Sequence, residues 1–281
     1  MNILLIYFSS SNNTAYVAKL IALGLEKKGL NPDLVRIEDF KAGKYDLADA
    51  DVIGIGAPIY GGFAEPIKDW VKDFDFNGKK VFLFSTAGMA HFGSTNEMIK
   101  IVEKNNGKVI GGFEMTFQGC MDGIIYLKEQ AQKYPIKKKE LERAIEFGCK
   151  IADIVESGEG YVDSTYKHYL GAINLAIIRV IKLFVSKLIK VFVYVIDSKK
   201  CMACMKCEEV CPSGAIQVNK KKPIINHGLC VSCFRCFKEC PSKALNLRFI
   251  GNRPYYWGPW QLEGYIDPEK IKYMEVSPDP D

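Results

Sequence analysis

Eight of the ten cysteines in this 281-residue chain stand in two copies of one spacing, Cys201-x2-Cys204-x2-Cys207-x3-Cys211-Pro212 and Cys230-x2-Cys233-x2-Cys236-x3-Cys240-Pro241. No other feature restricts the fold as much. Thiols at every third residue put three ligands into one tight loop and leave the fourth to come from a distant segment. A cubic iron–sulfur core needs four thiolates converging from different directions, and such a run can supply them. The proline closing each run turns the chain away from its last cysteine, having a fixed φ and no N–H to donate. Structural zinc also uses Cys-x2-Cys pairs, but it wants four ligands from two pairs. It gives no reason for three evenly spaced cysteines followed by Cys-Pro, twice over. The expectation is iron–sulfur, with the two runs as an internal repeat 29 positions apart.

The runs resemble those of bacterial-type ferredoxins carrying two [4Fe–4S] clusters, in which the last cysteine of each run ligates the other cluster. The resemblance implies that Cys201, Cys204, Cys207 and Cys240 hold one cluster, and Cys230, Cys233, Cys236 and Cys211 the other. Around them, residues 191–196 and 244–249 read as paired strands. Residues 215–218 and 223–225 read as a small hairpin between the clusters.

Composition sets the outer limits. The length suits one large or two modest domains, and 48% hydrophobic with 25% charged residues is ordinary for a globular chain. A formal net charge of +5, with lysines scattered, does not suggest nucleic-acid binding. Metal-type cysteine spacing points to a reducing interior rather than to disulfides. The stretch from Met1 to Phe8 has no basic leader and too short an apolar run for a signal peptide, so it reads as a buried strand and the cytoplasm is expected.

The first half alternates short apolar runs (2–8, 51–57, 79–85, with weaker ones at 33–37 and 108–117) with helical patterns (14–28, 65–74, 95–105, 136–156). Runs without polar alternation are strands buried on both faces, and their alternation with helices predicts a doubly wound parallel sheet. Ligands of such sheets sit beyond the carboxyl ends of the strands. The loop after the first strand, Ser9-Ser10-Ser11-Asn12-Asn13-Thr14, gathers hydroxyls, amides and free N–H groups at a helix N-terminus, a place to hold phosphate without a lysine. The same residues also make good helix caps. Loops 57–62 and 85–93 add glycines and an aromatic that could stack on a flat ligand. Gly54-Ile55-Gly56 is not a nicotinamide-binding fingerprint, because Ile59 occupies the place of the third glycine and this run does not open a helix after the first strand.

Here the chain resembles the flavodoxins: Leu5, Ile6, Tyr7, Ser9, Thr14, Ala18 and Ile21 fall in register with their phosphate fingerprint. Asn12 departs from it, where glycine, alanine or cysteine is usual. The resemblance covers roughly residues 1–160 and implies an FMN-binding domain of strand order 2-1-3-4-5. It places phosphate on Ser9, Ser10, Ser11, Asn12, Asn13 and Thr14. It places the ring between Pro58, Ile59, Tyr60 and Gly61 on one side and Ser85, Thr86, Ala87, Gly88, Phe92 and Gly93 on the other.

Other residues are read more plainly. Tyr60 is favoured as a flavin-stacking ring. His91 is either a donor to the ring or a substrate, or a solvated loop histidine. Cys120 and Cys149 read as buried thiols. Residues 170–196 are strongly apolar but broken by Arg179, Lys182, Lys187 and Lys190, each expensive at a bilayer centre. The favoured reading is a helix packed between domains with one basic edge, ahead of a membrane-surface helix or a dimer contact. The tail around Tyr255, Tyr256, Trp257 and Trp260 reads as a packing strap.

As a whole the chain resembles the flavodoxin–ferredoxin fusion proteins of anaerobes. The division expected is 1–160 flavodoxin-like, 161–190 a connecting helix, 191–250 a small α+β ferredoxin module, and 251–281 an aromatic tail. The resemblance implies an electron-transfer protein with FMN and two [4Fe–4S] clusters that serves redox protein partners. The alternative is an FMN-dependent reductase of a small molecule that uses the clusters as an internal wire. No Ser/His/Asp set or carboxylate pair is placed for other chemistry.

Overall fold

The computed structural model describes residues 1–41, 43–60, 63–88, 91, 93–116, 135–165, 194–219, 222–247 and 258–271. Gly61, Phe92, Cys120, the apolar stretch 170–193 and the aromatics Tyr255, Tyr256 and Trp257 lie outside the described residues.

In chain order the first domain holds β1 (Ile3–Tyr7), α1 (Asn13–Lys27), β2 (Pro32–Arg36), α2 (Ile37–Lys41), β3 (Val52–Pro58) and α3 (Glu65–Asp73). It continues with β4 (Lys80–Ala87), α4 (Ser94–Lys104), β5 (Lys108–Thr116), α5 (Lys138–Ser157) and β6 (Val162–Ser164). Every residue of β1 is buried, and they alternate between two cores. Ile3, Leu5 and Tyr7 face the core that α1 and α5 cover; Leu4 and Ile6, continued by Phe8, face the one that α3 and α4 cover. A strand with two dry faces must lie inside a sheet flanked by helices. The sheet is parallel throughout, in the order β2-β1-β3-β4-β5-β6.

The order expected from the resemblance is extended by β6, which pairs Val162, Asp163 and Ser164 with Gly111, Gly112 and Phe113. Three residues are too few to show a periodicity. The first domain therefore runs past residue 160, and the expected 161–190 helix gives way to strand at its start.

Glycines decide two close approaches. A Cβ on Gly54 would lie 2.5 Å from the Phe82 ring, and one on Gly56 2.1 Å from the Phe84 ring. The Gly-x-Gly of β3 thus makes room for neighbouring aromatics. At the crossing of α1 and α5, a Cβ on Gly148 would meet the Ile21 carbonyl at 2.2 Å. Cys149, next to it, is partly buried and donates its thiol to the Gly24 carbonyl at 3.3 Å.

The second module contains β7 (Tyr194–Ile196), α6 (Lys206–Glu209), β8 (Ile216–Asn219), β9 (Lys222–Ile225), α7 (Arg235–Lys238) and β10 (Leu245–Leu247). β7 pairs antiparallel with β10, and β8 with β9. The repeat is visible in the backbone: Ala203 and Met205 in one loop, and Ser232 and Phe234 in the other, all take left-handed φ between 53° and 60°. Such angles are strained for residues with a Cβ. They curl each loop tightly round its own cysteines.

The module is seated on the first domain by its second run. Cys233 belongs to the α3/α4 core with Val231 packed beside it, and Tyr60 packs against both that core and the module's own. Arg235 forms an ion pair with Glu38 across the same seam. The tail returns to the other side of the sheet: Leu262 enters the α1/α5 core, and Tyr16 donates its hydroxyl to the Ile266 carbonyl at 2.8 Å. The strap is thus made by residues 262–266, while Trp260 is 51% exposed.

Candidate functional site

Three loops meet at the carboxyl ends of β1, β3 and β4. Ser9, Ser10, Ser11, Asn13 and Thr14 are buried, none more than 9% exposed. Asn12 stands at the N-cap of α1 with φ 60°, left-handed, which asparagine tolerates better than most residues. The Ser9 hydroxyl accepts the Ala15 N–H at 3.2 Å, and the first turn of α1 carries no acidic side chain. The positive end of a 15-residue helix is therefore left without a countercharge beside a cluster of buried hydroxyls. That chemistry suits a phosphate.

Side-chain bonds join the loops. Ser10 is hydrogen-bonded to the Tyr60 hydroxyl, and Thr14 to Thr86 at 2.8 Å. Ile59 bridges to Phe63 and donates its N–H to the Thr86 carbonyl at 2.8 Å, with Pro58 ending β3 just before it. Ser85 and Ala87 are buried on β4, Gly88 follows, and Gly93 caps α4 with φ 68°. Gly61 and Phe92 are outside the described residues.

The cysteines gather into two cavities. One is lined by Cys211, Cys230, Cys233 and Cys236 with Ile216, Ile225 and Phe234. The other is lined by Cys201, Cys204, Cys207 and Cys240 with Met202, Met205 and Pro223. These are the quartets that the ferredoxin resemblance implies, with Cys211 and Cys240 each exchanged between runs. The spaces measure about 340 and 390 Å³ including their open mouths. The thiols ring a volume instead of meeting at a point: among the described residues no three His, Cys, Asp or Glu side chains close on a single ion. Cys211 accepts the Ala215 N–H at 3.2 Å and Cys240 the Ala244 N–H at 3.3 Å, again related by the repeat. Burial pushes the Cys236 thiol well up, and its crowded neighbours Cys233 and Cys230 push the same way. At Cys240 burial also acts upward, but the Ala244 N–H and the Ser242 hydroxyl outweigh it and hold the thiol low. Four crowded thiolates need metal charge to offset them, so both cavities fit iron–sulfur clusters.

A family model described as a flavodoxin domain matches residues 4–127, and one described as a 4Fe-4S dicluster domain matches residues 200–244. The chain is a flavodoxin–ferredoxin fusion. No curated protein matches it. Among solved structures, the fusion is similar to a flavodoxin from the domain Archaea, at 20% identity over 56% of this chain and 99% of that one, with a TM-score of 0.44. Oxidised flavodoxin 2 from Bacillus cereus is 19% identical over 57% of this chain and all (100%) of its own, with a TM-score of 0.42. Rubredoxin oxygen:oxidoreductase from Desulfovibrio gigas is 13% identical over 56% of this chain and 36% of its own, with a TM-score of 0.44. The fusion is an electron-transfer protein of the flavin and iron–sulfur kind.

One residue at these loops of the fusion, Arg36, was not legible beforehand, and neither was the setting of His91. Arg36, the last residue of β2, reaches the Ser9–Thr14 loop and donates to the Asn12 side chain at 3.2 Å and the Ser9 carbonyl at 3.4 Å. It ties down the one position that departs from the flavodoxin fingerprint. A lone arginine ending the strand beside β1 was the available signal. His91 is corrected: it is neither solvated nor turned outward, being 1% exposed. Its Nδ1 is 2.7 Å from the Ser85 hydroxyl, which is bonded in turn to Thr95 at 2.9 Å, and the buried Glu114 carboxylate lies 4.0 Å away. Buried polar partners drew the imidazole inward, under the β4 loop. No described helix is long and apolar enough to cross a membrane.

Proposed function

We propose that the fusion is an electron relay in which Ser9–Thr14 and the Tyr60 and Ser85–Gly88 loops hold FMN. In this reading Cys230, Cys233, Cys236 and Cys211 hold a proximal [4Fe–4S] cluster, and Cys201, Cys204, Cys207 and Cys240 a distal one. One observation carries the reading: Tyr60 is hydrogen-bonded to the Ser9–Thr14 loop through Ser10 and packs on both the first-domain core that holds Cys233 and the module core that holds Cys236. A residue expected beside the flavin thus also packs on the two cores that hold Cys233 and Cys236 of the proximal quartet. Cys233 sits in the first domain's core, while Cys204 of the distal quartet is exposed. The three sites follow in the order distal, proximal, flavin.

Each cluster would supply one-electron chemistry and the flavin one- or two-electron chemistry, so the chain gathers single electrons and passes them on singly or in pairs. The residues do the tuning. Ala215 and Ala244 N–H groups stabilise charge on the crossed cysteines, and apolar walls from Ile216, Ile225 and Phe234 keep water from the proximal cavity. Electrons are exchanged with redox protein partners in this reading, not with a substrate. His91, buried against Ser85, offers no outward proton donor to support the reductase alternative.

Anaerobic purification with quantified iron, acid-labile sulfide and released flavin tests it. Roughly eight iron and eight sulfide with one FMN per chain are expected. Stoichiometric zinc, or clusters without flavin even after reconstitution, refutes the reading.

A further inference from the structure

The distal end of the second module carries a surface suited to a partner, an inference that rests on the relay reading. Cys204 is the exposed member of the distal quartet, and it stands between Met202, 64% exposed, and Met205, 53% exposed. At the opposite end Cys233 and Cys236 are buried, Cys233 in the first domain's core. Two flexible, polarizable thioethers lie open to water beside a cluster ligand, where they can mould to another protein's surface.

The charge around them leans positive, with Lys199 and Lys222 left outside the local ion pairs. Lys199 and Lys200 precede the loop, Lys206 lines the cavity, and Lys222 is exposed and next to Pro223, which lines it too. The nearby carboxylates are already engaged. Asp197 lies 3.9 Å from Lys200, Glu209 lies 2.9 Å from Lys206, and Glu208 turns inward to accept the Val218 N–H at 3.2 Å. Lys199 and Lys222 have no carboxylate within ion-pair distance among the described residues.

We propose that this apolar centre with its lysine rim is the docking face for an acidic electron-carrier protein. Opposite charge steers such a carrier in and fixes its orientation, and the thioethers let its cofactor approach the Cys204 edge of the distal cluster. One electron then leaves one carrier and is taken up by the other, with no bond made or broken.

The test uses the full holo chain under anaerobic conditions, with an acidic two-iron ferredoxin and basic cytochrome c as probes. Stopped-flow exchange with the acidic probe should fall about tenfold between low salt and 0.3 M salt, as screened steering requires. The double variant Lys199→Glu/Lys222→Glu should slow it about tenfold at low salt and speed exchange with cytochrome c. Its cluster and flavin spectra report that it is intact. Unchanged exchange in that variant, faster exchange of the parent chain with the basic probe, or charge-dependent co-sedimentation with anionic vesicles in place of carrier exchange each overturns the docking face. In the same samples dithionite titration reads flavin reduction in step with the clusters. A failure there sinks the relay reading, and a failure of salt and charge dependence alone sinks only the face.

Discussion

The tightest steric statement in the sheet concerns Gly56→Ala. The added Cβ would sit 2.1 Å from Cε2 and Cζ of Phe84, whereas carbon atoms rest about 3.5–4.0 Å apart. The ring must therefore withdraw by about 1.4 Å or more. It has nowhere easy to go: Phe84 is fully buried, Phe82 lies 6.5 Å away centroid to centroid, and Phe147 closes on Phe82 at 6.0 Å. Overpacking of this kind costs ~1–3 kcal/mol. Replacing a strand glycine returns ~0.5–1 kcal/mol of backbone entropy, which leaves a net loss centred near ~1 kcal/mol. Phe84→Leu on its own creates a void and is destabilising as well. The double variant should be more stable than the sum of the singles by ~1 kcal/mol or more, because the smaller side chain vacates the space that the new methyl group takes. Urea unfolding is the assay, with Trp257 and Trp260 changed to phenylalanine so that Trp70, packed on Phe74 and Phe40 in the same domain, reports alone. A neutral Gly56→Ala, or a double variant that is simply additive, would refute the reasoning and reopen the Gly-x-Gly of β3 to another explanation.

Three more outcomes follow. Arg36→Met, which frees the Asn12 and Ser9 anchors, should weaken FMN binding about tenfold, or ~1.4 kcal/mol, the size of a hydrogen bond or two; titration of the apo chain by flavin fluorescence quenching measures it, and an unchanged Kd counts against a role for Arg36. Glu38→Gln removes the ion pair to Arg235 at a partly exposed seam, so a loss of no more than ~1 kcal/mol is expected, read as faster amide exchange over residues 230–238; no change there means the pair does not hold the module down. Burial raises the Cys149 thiol above the free value, so fewer thiolates form at a given pH. The unfolded chain loses that proton first, and the associated stability is present below the free thiol's pKa and lost as pH rises through the folded one. Alkylation of Cys149 in the folded chain should accordingly lag a free thiol across pH 7–9, and parity would contradict it.

Much of the molecule was readable from periodicity and spacing, because the forces behind those patterns are local. β1 to β5 and the helices α1, α3, α4 and α5 begin and end within about two residues of the expected places, while the five-residue α2 was not expected; an apolar run buried on two faces has few other options. β6, three residues long, left no pattern. Asn12 stood out as a departure, but its tie to Arg36 joins residues 24 apart, and spacing along the chain does not report such a pair. His91 was open to several roles until Ser85 and Glu114 were brought to it.

The sequence by itself determined the chemistry: eight thiols in two repeated runs, a hydroxyl-rich turn ahead of a helix, and a sheet with two dry faces. Those are properties of residue type and spacing. Only the tertiary structure decided which cysteine run is seated on the first domain. Cys233 and Cys204 occupy comparable places in a 29-residue repeat, yet one is buried against the first domain and the other open to water. A repeat is blind to which of its copies finds a neighbour. That asymmetry comes from Tyr60, Val231 and the Arg235–Glu38 pair, contacts between segments far apart in the chain that form only once both domains have folded.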